Sequence, residues 1–219
     1  MHKIIKFALM TVENAYRELL DPLKNIYEAR EASNIADWVF EKITGINRLN
    51  RISSKMTQLN KPEIDLLQAS MHRLLQNEPV QYVLNEAWFY KMKFFVDNNV
   101  LIPRPETEEL VAWVINDAGK MKADEQNGLN ILEVGTGSGC IAIALKKEIP
   151  NAKITSLDIS EPALKVAQQN ALAHDAQIDF IQLDFLIETN WTLLPLTDII
   201  VSNPPYIPAK EKSVMDKNV

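Results

Sequence analysis

The heptapeptide SNPPYIP, at residues 202–208, follows an apolar run that is typical of a buried strand. Asn203 carries a side-chain carbonyl oxygen, and Pro204 and Pro205 keep their backbone carbonyls while lacking N–H donors. A planar NH2 group that enters such a site finds acceptors for both of its hydrogens, and Tyr206 offers a flat face on which an amide or a base can stack. We therefore predict that these four residues bind the substrate and carry the catalysis.

A second candidate site is the turn EVGTGSG, at residues 133–139. Three glycines at alternate positions let the backbone approach a ligand closely, and the turn opens a helix whose first N–H groups face outward. The spacing G-x-G-x-G differs from the dinucleotide fingerprint, since Cys140 stands where its last glycine would fall. Glu133 adds an anionic group that suits an ammonium or sulfonium ligand better than a pyrophosphate. The turn resembles the first motif of S-adenosylmethionine-dependent methyltransferases.

Acidic residues at the ends of two later strands extend this cofactor prediction. Asp158 ends the second predicted strand, where a carboxylate can accept hydrogen bonds from ribose hydroxyls. Asp184 and Phe185 end the third, where they could flank an adenine ring. The predicted cofactor-binding residues are Glu133, Gly135, Thr136, Gly137, Ser138, Gly139, Asp158, Asp184, Phe185 and Asn203.

Strands and helices alternate in the part of the chain that carries these motifs. This alternation predicts an α/β fold, a Rossmann-like, parallel and doubly wound sheet of which four strands are present. In such a sheet the fourth strand lies beside the first, so Asn203 should point into the crevice above the glycine-rich turn. The predicted strands are 129–134, 153–159, 177–183 and 197–203, and the predicted helices between them are 140–149 and 161–174.

The first part of the chain follows a different pattern. Apolar residues recur at helical spacing over residues 11–80, whereas the aromatic and β-branched run AWFYKMKFFV predicts a short hairpin. A helix should then open at Glu106 or Thr107. We divide the chain into a helical substrate-docking domain at 1–85, a hairpin and linker at 86–105, and a methyltransferase domain at 106–219.

Composition excludes several classes of function. The net charge of −6 gives no overall basic surface for nucleic acid or an anionic membrane, and Cys140 is the only cysteine. No stretch reaches the roughly 20 apolar residues of a membrane span. We expect a cytoplasmic protein that is monomeric, with no membrane contact, no direct nucleic-acid contact and no metal ion.

Two further segments narrow the family. NPPY alone resembles amino-methyltransferases in general, including adenine-N6 and glutamine-N5 enzymes. Together with VLIPRPETEEL at 100–110, EPVQYVLNEAWFY at 78–90 and the helical first part, it resembles the peptide chain release factor glutamine methyltransferases, the PrmC/HemK family. The resemblance runs from about Met10 to the end of the chain.

This resemblance implies an activity and its partners. The enzyme would use S-adenosyl-L-methionine to methylate the glutamine side-chain amide in the Gly-Gly-Gln motif of class 1 release factors. The glycine-rich turn, Asp158, Phe185 and Asn203 would hold the cofactor, and residues 203–206 would hold the glutamine. The helical domain would help to dock the release factor.

The sequence departs from the family pattern at three points. Phe185 stands where tryptophan is common, and Asn85 replaces a glycine before the hairpin. The family's sheet has seven strands, so we expect the C-terminal part of the catalytic domain to be absent from this chain. The alternatives are an adenine-N6 nucleic-acid methyltransferase, which the charge of −6 disfavours, and a non-catalytic cofactor-binding fragment.

Overall fold

The computed structural model describes residues 10–121 and 128–204. The chain forms two compact units, the first of which ends at Leu84 while the second begins at Asn85. None of the helices among the described residues is long and apolar enough to cross a membrane.

The first unit is built from helices, as the apolar spacing predicted. Its longest helices pack one apolar face each around a core that includes Leu23, Phe40 and Leu74. Gly45 ends the second helix with a φ of 70°, and Asn60 begins the fourth with a capping box closed by Glu63. The helices are α1 (Val12–Leu23), α2 (Ala29–Thr44), α3 (Arg48–Ser53), α4 (Lys61–Leu74) and α5 (Val80–Leu84).

The short helix α3 has no buried residues and is held by one arginine. The guanidinium of Arg51 lies 3.4 Å from the centroid of the Tyr16 ring, and its Nη2 lies 2.7 Å from Asp37 Oδ1. Tyr16 donates its hydroxyl hydrogen to the same carboxylate at 2.7 Å, and burial raises the pKa of Tyr16 to about 12. A cation–π contact and a shared carboxylate thus tie α1, α2 and α3 together.

The second unit begins with the predicted hairpin. Strands β1 (Ala87–Phe89) and β2 (Met92–Phe94) pair antiparallel. Tyr90 and Lys91 form the two-residue turn, and both have positive φ, at 49° and 61°. Turns of this kind match the twist of the two strands that they connect.

A four-stranded parallel sheet with helices forms the rest of this unit, which confirms the predicted fold class. The elements are α6 (Thr107–Ala118), β3 (Asn130–Val134), α7 (Cys140–Glu148), β4 (Lys153–Asp158), α8 (Glu161–Ala173), β5 (Asp179–Gln182), a 3-10 helix (Glu188–Leu193) and β6 (Ile199–Ser202). The spatial order is β5-β4-β3-β6, so the fourth strand of the sheet lies beside the first as predicted. The pairing of Val134 with Ser202 brings the carboxyl ends of β3 and β6 together.

Helix α7 is the centre of the core on one face of the sheet. Its residues Cys140–Leu145 are all buried, and they belong to a cluster with Ile131, Ile154 and Val201 of the strands. A helix that is apolar all round must be covered on every side. The position of α7, and of the turn before it, is therefore fixed by packing.

Gly139 lets that turn pass close to α8. Its φ is 79°, and a Cβ placed on it would lie 3.1 Å from Ala167 Cβ and 3.3 Å from Ala167 Cα. Gly137 also has positive φ, at 52°, but a Cβ there would meet no atom within 4 Å. The two glycines thus serve different purposes, since only Gly139 is required by close packing.

We predict that Gly139→Ala destabilises the chain more than Gly137→Ala. Both changes impose a left-handed conformation on alanine, at a cost of about 1 kcal/mol, but only Gly139→Ala also drives a methyl group into Ala167. The additional loss should be at least about 1 kcal/mol of unfolding free energy, measured by urea denaturation followed by circular dichroism. Equal losses for the two variants would contradict the close-packing role of Gly139.

Candidate active site

The carboxyl ends of β3 and β6 open into a cleft of the second unit. The glycine-rich turn supplies one wall through Gly135, Thr136, Gly137 and Ser138, and Asn203 supplies part of another. Residues 101–104, before α6, complete the lining together with Thr107, Cys140 and Ile141. Asn203 therefore lies in the same cleft as the glycine-rich turn.

Backbone hydrogen bonds fix the glycine-rich turn to the end of β4. The N–H groups of Gly135 and Thr136 both donate to the carbonyl of Leu157, at 2.9 Å and 3.0 Å. Gly135 has a φ of 86°, and neither it nor Gly137 has any atom within 4 Å of the place where a Cβ would lie. This open space along a held backbone is a cradle in which a ligand can approach the peptide groups.

Asp158 contacts the turn directly. Its Oδ2 accepts the N–H of Gly137 at 3.0 Å, and its Oδ1 accepts the N–H of Ser160 at 2.9 Å. The hydroxyl of Ser160 caps α8 by accepting from Ala163 N. A carboxylate has about four acceptor positions, so Asp158 keeps capacity for the hydroxyl groups of a ligand.

A chain of buried side chains lies beneath the turn. The Ser156 hydroxyl is hydrogen-bonded to Glu133 Oε2, and its oxygen lies 2.6 Å from Thr136 Oγ1. With the Glu133 carboxyl ionised, the single hydroxyl hydrogen of Ser156 is used by Glu133, and Thr136 is the donor in the second contact; with the carboxyl protonated, Glu133 can donate to Ser156 and Ser156 to Thr136. The chain therefore runs from Thr136 through Ser156 to Glu133, from the cleft into the sheet.

Glu133 differs electrostatically from the anion that the sequence suggested. Its side chain is 1% exposed, and Oε1 has no hydrogen-bond partner among the described residues. Burial raises the pKa of Glu133 to about 8, against the lowering effects of Ser156 and of the nearby Ala142 amide. The group is mostly protonated at neutral pH, so its direct attraction for a cation is weak there.

Asp184 and Phe185 lie outside the set of residues that line the cleft. Asp184 Oδ1 accepts the N–H of Leu186 at 2.9 Å, which shapes the chain after β5. The ring of Phe185 stacks on Trp191 with centroids 5.6 Å apart and planes at 29°. Trp191 Nε1 also donates to the Phe185 carbonyl at 2.8 Å. An adenine-flanking role for Asp184 and Phe185 stays a prediction, and no sequence pattern indicated Trp191 as a partner of Phe185.

Asn203 is oriented by a residue that sequence reasoning missed. Its Nδ2 donates to Thr107 Oγ1 at 2.8 Å, and Thr107 is 7% exposed in the first turn of α6. Thr107 lies within the segment PRPETEEL, at residues 103–110, which marks the family resemblance. That segment is the sequence feature from which a role for Thr107 in the site could have been predicted. Pro204 follows Asn203 directly, while Pro205 and Tyr206 lie outside the described residues.

We predict that Glu133→Gln stabilises the chain increasingly as pH rises. The pKa of Glu133 is raised from 4.5 to about 8 on folding, so the stability that this carboxyl provides is complete below about pH 4.5 and is lost as pH rises toward about 8. Glutamine has no such proton. The difference in unfolding free energy between variant and wild type should grow by about 1 kcal/mol per pH unit in this window, in chemical denaturation at several pH values.

Glu161→Gln is the control for this experiment because its dependence has the opposite sign. The hydrogen bond from Lys165 lowers the pKa of Glu161. Any contribution of this exposed pair to the free energy of unfolding is therefore lost as pH falls. A stability difference for Glu133→Gln that stays constant with pH would contradict the buried, protonated state of Glu133.

Comparison with known families is in agreement with this geometry. Residues 120–217 match the family model described as "Methyltransferase small domain". Residues 15–84 match the "PrmC N-terminal domain". This chain is also similar to the solved structure of the ribosomal protein L11 methylase from Lactobacillus delbrueckii subsp. bulgaricus. The two share 25% sequence identity and a TM-score of 0.38 over 50% of this chain and 51% of that one.

Relatives of known name extend over both units. The release factor glutamine methyltransferase of Flavobacterium psychrophilum is 37% identical over 96% of this chain and 72% of its own length. That of Chlorobaculum tepidum is 39% identical over 84% of this chain and 64% of its own length. This chain thus spans about two thirds of the length of these relatives. It belongs to the release factor glutamine methyltransferase family.

Proposed function

We propose that this chain transfers a methyl group from S-adenosyl-L-methionine to the side-chain amide of glutamine in the Gly-Gly-Gln motif of class 1 release factors. The observation that carries the proposal is the position of Asn203, whose amide is held by Thr107 in the same cleft as the glycine-rich turn. The names of the relatives, release factor glutamine methyltransferases, support the choice of substrate.

The cofactor is S-adenosyl-L-methionine, which supplies a methyl group on a positively charged sulfur when it is bound. The cradle above Gly135 and Gly137, where no Cβ intrudes, fits a ligand that lies against the backbone. Asp158 retains acceptor positions for ribose hydroxyls at the end of β4. We assign these residues, with Thr136 and Ser138 of the cleft wall, to cofactor binding.

The substrate half of the site works by orientation. An amide nitrogen is a poor nucleophile because its lone pair is delocalised into the carbonyl group. The side-chain carbonyl of Asn203 and the backbone carbonyl of Pro204 are the proposed acceptors for the two N–H groups of the substrate. Acceptors placed out of the amide plane localise the lone pair, and fixing two reactants in line can contribute roughly 7–11 kcal/mol.

The same acceptors provide a route for the proton. Methylation makes the amide nitrogen strongly acidic, and one of its hydrogens must then leave. Because both hydrogens would point at carbonyl oxygens, the proton can depart along the hydrogen bond to Asn203 and pass from that oxygen to solvent. This arrangement requires no strongly basic side chain in the cleft.

Thr107 holds the Asn203 amide through its nitrogen in this scheme. The Thr107 hydroxyl accepts from Nδ2, so this contact does not use the carbonyl oxygen that we assign to the substrate. Pro205 and Tyr206 remain predictions as parts of the glutamine pocket.

The helical unit is the proposed docking domain for the release factor. Leu49, Ile52 and Met56, on and after α3, are all highly exposed, and apolar side chains at a surface favour contact with another protein. A monomer located in the cytoplasm, without direct nucleic-acid contact, remains our prediction for this chain.

The proposed function is tested by peptide mass spectrometry. An unmodified class 1 release factor is incubated with the chain and S-adenosyl-L-methionine, and one added methyl group is expected on the glutamine of its Gly-Gly-Gln peptide. A release factor in which this glutamine is replaced by glutamate is the control and should remain unmodified. Methylation of an adenine oligonucleotide in place of the protein would favour the nucleic-acid alternative and overturn the proposal.

We predict that Asn203→Ala reduces turnover by at least about 100-fold, because the substrate amide loses an orienting acceptor. Affinity for the release factor, measured by calorimetry, should change by less than about threefold, since docking uses other surface. Ser202→Ala is the matched control: among the described residues the hydroxyl of this neighbour donates to the Val134 carbonyl, at 2.8 Å, and its loss should leave turnover nearly unchanged. Equal losses of turnover and of affinity in Asn203→Ala would assign Asn203 to docking instead.

A further inference from the structure

We propose that Asn170 of α8 is a positioning residue for the cofactor, because its side chain joins the glycine-rich turn to the segment after the hairpin. This inference rests on the cofactor cleft of the proposed function. It adds a residue that does not line the cleft and that no motif singles out.

Three hydrogen bonds fix the Asn170 side chain. Its Oδ1 accepts the N–H of Phe95 at 2.7 Å. Its Nδ2 donates to the carbonyls of Phe95 and of Ser138, both at 2.9 Å. Since the oxygen faces a donor and the nitrogen faces two acceptors, only one orientation of the amide satisfies all three groups.

The bond to Ser138 fixes a peptide group of the glycine-rich turn. The peptide between Ser138 and Gly139 is planar, and its carbonyl is held by Asn170 while its N–H donates to the Thr136 carbonyl at 2.8 Å. With both ends held, this peptide cannot rotate without breaking a buried bond. The backbone of the turn that lines the cleft therefore has a defined direction.

Helix α8 contacts the turn at a second point. Ala167 lies three residues before Asn170, on the same helix face, and would contact any Cβ on Gly139 at 3.1 Å. Ala167 thus sets how close the turn approaches α8, and Asn170 sets which way its carbonyl points. A hydrogen bond in so tight a contact is sensitive to small displacements.

The bonds to Phe95 hold the start of the segment that leads to the cleft. Phe95 directly follows β2, and six residues later the chain reaches residues 101–104, which line the cleft together with the turn. One side chain, 2% exposed, is therefore bonded to the turn and to the start of this segment. Asn170 thereby helps to position both parts of the lining for a ligand.

His174 offers a matched comparison one turn later on the chain. Its Nε2 lies 2.7 Å from the carbonyl of Lys93, and its ring lies 5.0 Å from the ring of Phe94. Like Asn170, it attaches the hairpin to this part of the second unit. Within the part of the chain that the structure describes, its hydrogen bonds and ring contact do not involve the glycine-rich turn.

The test compares Asn170→Ala with His174→Ala in the full chain. The dissociation constant for S-adenosyl-L-methionine is measured by calorimetry, at a temperature where circular dichroism shows every variant folded. Asn170→Ala should weaken binding at least tenfold, whereas His174→Ala should change it less than twofold even if its melting temperature falls. Asn170→Asp keeps the acceptor for the Phe95 N–H and loses both N–H donors. If the alanine variant does not fold, Asn170→Asp replaces it, and it should also weaken S-adenosyl-L-methionine binding at least tenfold.

Binding by Asn170→Ala within twofold of wild type would overturn the proposal and leave Asn170 a residue of the core alone. An equal loss in the His174 variant would also overturn it, since attachment of the hairpin would then be the cause. A wild-type chain that binds no S-adenosyl-L-methionine would instead overturn the cofactor site itself.

Discussion

The buried chain from Thr136 through Ser156 to Glu133 is the interaction on which the cleft depends. Its members belong to the glycine-rich turn, to β4 and to β3, and all three are almost fully buried. Buried hydroxyl groups must be paired, because an unpaired one costs about 1–3 kcal/mol. The requirement for pairing therefore holds the turn against the sheet, and Asp158 and Asn170 then hold its remaining backbone groups.

The cleft contains mainly neutral groups that accept or donate hydrogen bonds in fixed directions. Asn203 and Thr107 orient one side, the backbone of residues 135–138 forms another, and Glu133 beneath them is mostly protonated at neutral pH. Such surroundings suit the transfer of an alkyl group to an amide, which needs alignment of two reactants more than a strong acid or base. The proposed chemistry and the electrostatics of the cleft thus agree.

Sequence reasoning was most accurate where structure depends on neighbours along the chain. Apolar runs and turn residues located the hairpin, the four strands and the helices between them, because each of these depends on local periodicity. It missed Thr107 and Asn170, whose partners lie 96 and 75 residues away. It also did not foresee that burial raises the pKa of Glu133, since burial of a carboxyl cannot be read from its neighbours in sequence.

The distances in sequence between hydrogen-bonded residues also determine the order in which the cofactor side and the substrate side of the site can form during synthesis. The contacts that shape the turn join residues 133–170, so they can form while the rest of the chain is still within the ribosome. The bond from Asn203 to Thr107 closes a loop of 96 residues and must wait for residue 203 to emerge. A nascent chain therefore has the means to shape its cofactor cradle before the group that aligns the substrate exists.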